Sequence, residues 1–72
     1  MGLKNYKIDT SVLSAENQER AIKFIEINAF TFAYIPGTKG CYQCMWEENV
    51  NPRSFPEISE CVIQELPSAC IP

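Results

Sequence analysis

Residues 30–46 restrict the fold more than any other stretch of this chain. Phe30, Phe32 and Tyr34 stand at alternate positions among Thr31, Ala33 and Ile35, the period-2 pattern of a strand built from aromatic and β-branched side chains. Pro36-Gly37 follows, a turn dipeptide in which Pro fixes φ at one position and Gly allows φ > 0 at the next. After Gly40, Cys41-Tyr42-Gln43-Cys44-Met45-Trp46 reads as the returning strand. Residues 30–46 are therefore expected to form an antiparallel hairpin. A lone hairpin is marginal in water and needs more strands, or a helix over its apolar face. The rest of the chain has to supply that cover.

One helix is available. Ser14 is placed to cap it by accepting from an otherwise unpaired backbone N–H. Glu16 follows in the first turn, where negative charge suits the helix dipole. Ala21, Ile22, Ile25 and Ala29 then fall at helical spacing with Phe24 beside them. Glu16 with Arg20, and Glu19 with Lys23, stand four apart in the favourable order. The pattern predicts a helix from about Ala15 to Asn28 with a core-facing stripe. Ahead of it, Lys4 to Asp9 places Tyr6 and Ile8 on one face of a short strand. Beyond the hairpin, Glu47 to Pro56 lacks a period and reads as a loop, and Cys61 to Leu66 reads as a last short strand. An α+β fold is expected, a single small domain over 1–72 with one helix packed on a small, mainly antiparallel sheet in the order β-α-β-β-loop-β.

At 72 residues, such a domain buries only about 60% of the surface its unfolded chain exposes. Domains of this size often depend on a disulfide, a metal or an oligomer interface, so a homodimer is one way to complete the core. The net charge is −3. Residues 41–72 set Arg53 alone against Glu47, Glu48, Glu57, Glu60 and Glu65. Nucleic acid is not an expected partner, because phosphate neutralisation needs clustered Lys and Arg. Nor is a membrane, since no segment approaches the roughly 18 apolar residues of a span. Met1 to Lys7 lacks the apolar run of a signal peptide, which makes a cytoplasmic protein the expectation. A mature fragment of a secreted protein would reverse it.

The cysteines follow the pattern C-x2-C-x16-C-x8-C. Cys41 and Cys44 have the spacing of a zinc half-site, but eight residues between Cys61 and Cys70 is long for the second half, and the chain has no histidine. Cys41, Cys44, Cys61 and Cys70 are also candidates for disulfides in any of three connectivities, each bridge contributing roughly 2–4 kcal/mol. A redox role for the C-x2-C is disfavoured, because such pairs open a helix whose dipole lowers the thiol pKa. A nucleophilic Cys61 has no histidine to serve as its base and several acids nearby. Outside the cysteines there is no glycine-rich phosphate loop and no H-E-x-x-H.

Pro36-Gly37, Cys41-x2-Cys44, Phe55-Pro56, Cys61-x-Ile63-x3-Pro67 and Cys70-Ile71 together resemble the segment of ubiquitin-like protein activating enzymes that runs from the zinc-binding C-x2-C to the catalytic cysteine. The resemblance covers about residues 34–71. It implies Cys41 and Cys44 as two of four zinc ligands and Cys61 as the thiol that forms a thioester. Four residues, 57–60, separate Phe55-Pro56 from Cys61, where the family has one, and the nucleotide-binding part of those enzymes has no counterpart in this sequence.

The residues themselves favour a non-enzymatic protein-binding domain, a class in which inhibitors, immunity proteins and phage-encoded antagonists are often this small, acidic and free of catalytic motifs. No cofactor is expected, zinc being the alternative. Met45, Trp46, Glu47, Glu48, Arg53 and Phe55 are the candidate contact residues, since aromatic, Met and Arg side chains are enriched at interfaces. The competing expectation is that Trp46 and Phe55 fill a thin core.

Overall fold

The computed structural model describes residues 2–66. Its elements are β1 (Leu3–Asp9), α1 (Ala15–Asn28), β2 (Thr31–Tyr34), β3 (Cys41–Glu47), a 3-10 turn (Pro52–Ser54) and β4 (Val62–Leu66). The fold is the expected α+β arrangement, one helix on one antiparallel sheet. Among the described residues the strand order is β2-β3-β1-β4. β1 lies inside the sheet, pairing with β3 from Leu3↔Glu47 to Asp9↔Cys41 and with β4 from Asn5↔Leu66 to Asp9↔Val62. β2 pairs with β3 from Thr31↔Met45 to Tyr34↔Tyr42.

α1 starts as its sequence dictates. The Ser14 hydroxyl accepts from Asn17 N–H at 3.3 Å, and Gln18 reaches back to donate to the Leu13 carbonyl at 2.9 Å. At the other end Ala29 leaves the helix in an extended conformation, with its N–H still donating to the Ile25 carbonyl. Ala21 and Ile25 are fully buried, with Phe24 half-buried beside them. They lie against one face of the sheet. Directly opposed residues share a face, so Tyr6, Ile8, Cys44, Trp46 and Ile63 all belong to that side, and all are core.

α1 does not cover this face alone. Residues 47–56 are expected to be a loop, and the structure gives that loop local order. The chain from Val50 to Cys61 is a run of tight turns, with Ser54 N–H on the Asn51 carbonyl, Ile58 N–H on Phe55 and Cys61 N–H on Ile58. Pro52 and Ile58 are buried, and Phe55 sits between Phe24 and Trp46 with ring centres 5.0 and 6.0 Å away. The segment thus completes the layer that α1 begins. Its apolar residues serve geometry set by turns and follow no helical or strand period, which is why periodicity missed them.

The hairpin turn depends on two glycines. Gly37, at φ 82, fits the second central position of a turn opened by Pro36. Gly40, at φ 94, has a different task. Its carbonyl accepts from both the N–H and the hydroxyl of fully buried Thr10, each at 2.9 Å, and a Cβ on Gly40 would stand 3.0 Å from that hydroxyl. We therefore expect Gly40→Ala to destabilise by roughly 2–3 kcal/mol, combining left-handed strain with crowding, and Gly37→Ala by only about 1 kcal/mol. Urea midpoints of the two variants check the order; equal losses would refute the Thr10 contact as the cause.

The other sheet face carries Asn5, which is 2% exposed. Among the described residues neither its amide nitrogen nor its oxygen has a hydrogen-bond partner. An unsatisfied buried amide costs about 1–3 kcal/mol. Asn5→Leu, apolar and of similar size, should raise the urea midpoint at unchanged slope by the equivalent of roughly 1–2 kcal/mol. A lowered midpoint would mean that the amide is satisfied in solution.

Candidate functional site

The predicted contact residues do not form one surface. Strand alternation separates Met45 from Trp46: Met45 lies half-buried beside Asn5 on the far sheet face, whereas Trp46 is 4% exposed and in the core. Arg53 is exposed, and its Nη2 donates to the Ile63 carbonyl at 2.7 Å, tying the turn segment to β4. Glu48 packs beside Gly2 and donates its N–H to the Gly2 carbonyl at 3.0 Å.

Three of the six do converge. Trp46, Glu47 and Phe55 line an open hollow of about 260 Å³ together with Asn28, Phe30 and Val50. α1 ends at one rim, β3 ends at another, and the turn segment closes the third. Trp46 and Phe55 form an apolar floor, in tilted contact at 6.0 Å. Phe30, just past the helix, is 71% exposed, and Ile27 in the last helical turn is 75% exposed. A large apolar side chain this exposed at the rim of an apolar hollow marks a contact surface more often than a scattered one does. Glu47 on the lining and Glu48 next to it are both exposed. Phe30, Val50 and Asn28 were not singled out from the sequence. Phe30 read as the first residue of a strand; the structure starts β2 one residue later, leaving its ring outside.

The cysteines are distributed differently from their sequence pattern. Cys41, Cys44 and Cys61 are buried free thiols, and Cys70 lies outside the described residues. Cys41 and Cys44 fall in one continuous strand. Residues three apart in a strand point to opposite faces, with Cα atoms roughly 10 Å apart. A disulfide needs less than about 7 Å, and two thiolates on one zinc sit within about 4 Å of each other. The strand therefore does not bring this pair together for either chemistry. Among the described residues no three His, Cys, Asp or Glu side chains cluster as metal ligands do.

Cys44 is enclosed by the core, and burial pushes its thiol up to about 12. Burial, reinforced by the carboxylates of Asp9 and Glu60, pushes Cys61 up to about 11. Both are neutral near pH 7, the opposite of an activated nucleophile. Asp9 itself is held below its ordinary value, first by the Ser11 hydroxyl at 2.6 Å and then by the Ser11 N–H at 2.9 Å. That pair forms the turn that ends β1.

Compared with known protein families, curated proteins and solved structures, the chain has no significant match. Its function has to be read from the chemistry of its own surfaces.

The thiols provide a direct test of this geometry. At pH 8, alkylation of Cys61 in the native protein should run about a hundredfold or more slower than in urea, because so little thiolate is present. A native rate within about threefold of the unfolded one contradicts the burial. A pH effect follows from the same shifts. Thiols raised from 9.0 favour the folded state fully below pH 9, and that contribution is lost as pH rises toward the folded values, since the unfolded chain ionises first. Urea midpoints should fall above pH 9, less steeply in Cys44→Val.

Proposed function

We propose that this chain is a small non-enzymatic domain that binds another protein, taking one apolar side chain of a basic partner segment into the Phe30–Trp46–Phe55 hollow. The observation that carries the reading is the 71% exposure of Phe30 at the rim of an apolar floor. The hollow is open and small. Enclosed small-molecule sites run to several hundred Å³ and surround most of their ligand, whereas about 260 Å³ at the surface suits a single inserted side chain. Interfaces of this kind are organised around such an anchor with a polar rim.

Charge defines the partner further. Glu47 and Glu48 flank the hollow, and the second half of the chain is acidic. Lys or Arg beside the inserted side chain would meet these carboxylates, which speeds association and selects against acidic competitors. Trp46 contributes the floor from within the core and does not itself protrude.

Selection from a random peptide library on the full chain tests this. Recovered peptides should carry an aromatic or aliphatic residue next to Lys or Arg. Phe30→Asp and Glu47→Lys should each weaken them by about tenfold or more, roughly 1.4 kcal/mol, without changing the urea midpoint. An acidic consensus, or binders indifferent to both substitutions, refutes the proposal. Trp46→Ala should behave differently, losing about 3–5 kcal/mol of stability as a large core truncation.

A further inference from the structure

The two edges of the sheet are not equivalent. A strand edge offers unpaired N–H and C=O groups to any other strand, and natural sheets blunt it with charge, proline or a covering segment. At β4 this has been done: Arg53 donates to the Ile63 carbonyl at 2.7 Å, and Glu65 pairs with Lys4 at 3.9 Å. β2, at the other edge, reads Thr31-Phe32-Ala33-Tyr34, with no charge and no proline. Among the described residues no strand lies on its outer side.

The register shows which groups face outward. Ile35 N–H donates to the Cys41 carbonyl at 3.0 Å, directly across the hairpin. Hydrogen-bonded and non-hydrogen-bonded pairs alternate along an antiparallel ladder. Ala33↔Gln43 and Thr31↔Met45 are then the bonded pairs, and the N–H and C=O of Phe32 and Tyr34 point to the open edge. Pro36 has the same parity and carries no N–H, so the donors offered by the edge stop there.

We infer that β2 pairs antiparallel with β2 of a second copy of this chain, about a twofold axis at Ala33. Phe32 then stands opposite Tyr34 of the second copy, and Tyr34 opposite its Phe32. Each pair exchanges two hydrogen bonds, so all four outward groups on each strand are satisfied. Centring on Phe32 sets Tyr34 opposite Phe30, whose N–H is already given to the Met45 carbonyl, and centring on Tyr34 sets Phe32 opposite Pro36, which has no N–H, so neither register supplies every donor. The side chains are self-complementary as well. Phe32 stacks on Tyr42 at 5.1 Å, and Tyr34 meets Tyr42 edge-on at 5.4 Å. Pairing joins these rings to their counterparts in the second copy, and such cross-strand aromatic contacts stabilise a sheet. On the opposite face Ala33 meets Ala33, the smallest side chain available at the axis, where opposed Cα atoms approach to about 4.5 Å. The pairing is isologous and closed, so it ends at a dimer and does not propagate. Ala33 is not among the residues lining the hollow, and this inference stands whether or not the hollow binds a partner.

The full chain in reducing buffer, followed by sedimentation velocity over a range of concentrations, should show a reversible monomer–dimer equilibrium. Ala33 is exposed, so Ala33→Lys and Ala33→Glu should retain the wild-type circular dichroism. Each places like charges against one another at the axis and should weaken self-association by at least about tenfold. An equimolar mixture of the two should recover the dimer through opposite charges. Amide exchange gives an independent reading: Phe32 and Tyr34 N–H should gain protection as wild-type concentration rises. A wild-type chain that stays monomeric at millimolar concentration overturns the inference. So does tight association of either charged variant alone, failure of their mixture to associate, or exchange at Phe32 and Tyr34 that does not change with concentration.

Discussion

The pairing of β1 with β3 sets the position of every other element. Its register runs without a break from Leu3↔Glu47 to Asp9↔Cys41. That register puts Tyr6 beside Cys44 and Lys4 beside Trp46, and so decides which side of the sheet α1 and the turn segment must cover. At the far end it delivers Thr10 to the Gly40 carbonyl, locking the hairpin turn to the end of β1. A slip of one residue would exchange the two faces of β1, sending Tyr6 and Ile8 away from α1 and Asn5 into the core.

The same register explains why four cysteines do not make one site. Within β3 the sheet treats Cys44 as a small apolar filler under the helix and Cys41 as a residue of the other face, next to Asp9. Cys61 closes the last turn before β4. Free cysteine is among the most frequently buried residue types and packs as a small hydrophobe, which accounts for Cys44 and Cys61 without assigning either a chemical role.

Much of the fold was legible in local pattern. The bounds of α1 follow from Ser14 and the stripe Ala21, Ile22, Ile25, and the hairpin follows from alternating aromatics around Pro36-Gly37. Strand order was not legible. No local signal says that β4 returns to the free side of β1, because that choice rests on contacts between residues far apart in the chain. The site was legible in part. Trp46, Glu47 and Phe55 were chosen as aromatic and acidic residues near one another, and they do share the hollow. Met45 has a parity that differs from that of Trp46, and the hydrogen bond from Arg53 to the Ile63 carbonyl joins residues that no local pattern connects. Phe30 escaped because the exposure of a residue between helix and strand depends on where the strand begins.

One consequence of the topology concerns how the domain is assembled. β1 is first in sequence and inside the sheet, while both its neighbours come from the second half of the chain. Hydrophobic contacts to β1 therefore close loops of some tens of residues, and contacts of high sequence separation slow folding. α1 and the β2–β3 hairpin are local and form quickly by comparison. During synthesis β1 can be paired on both of its edges only once residues 41–66 have been made.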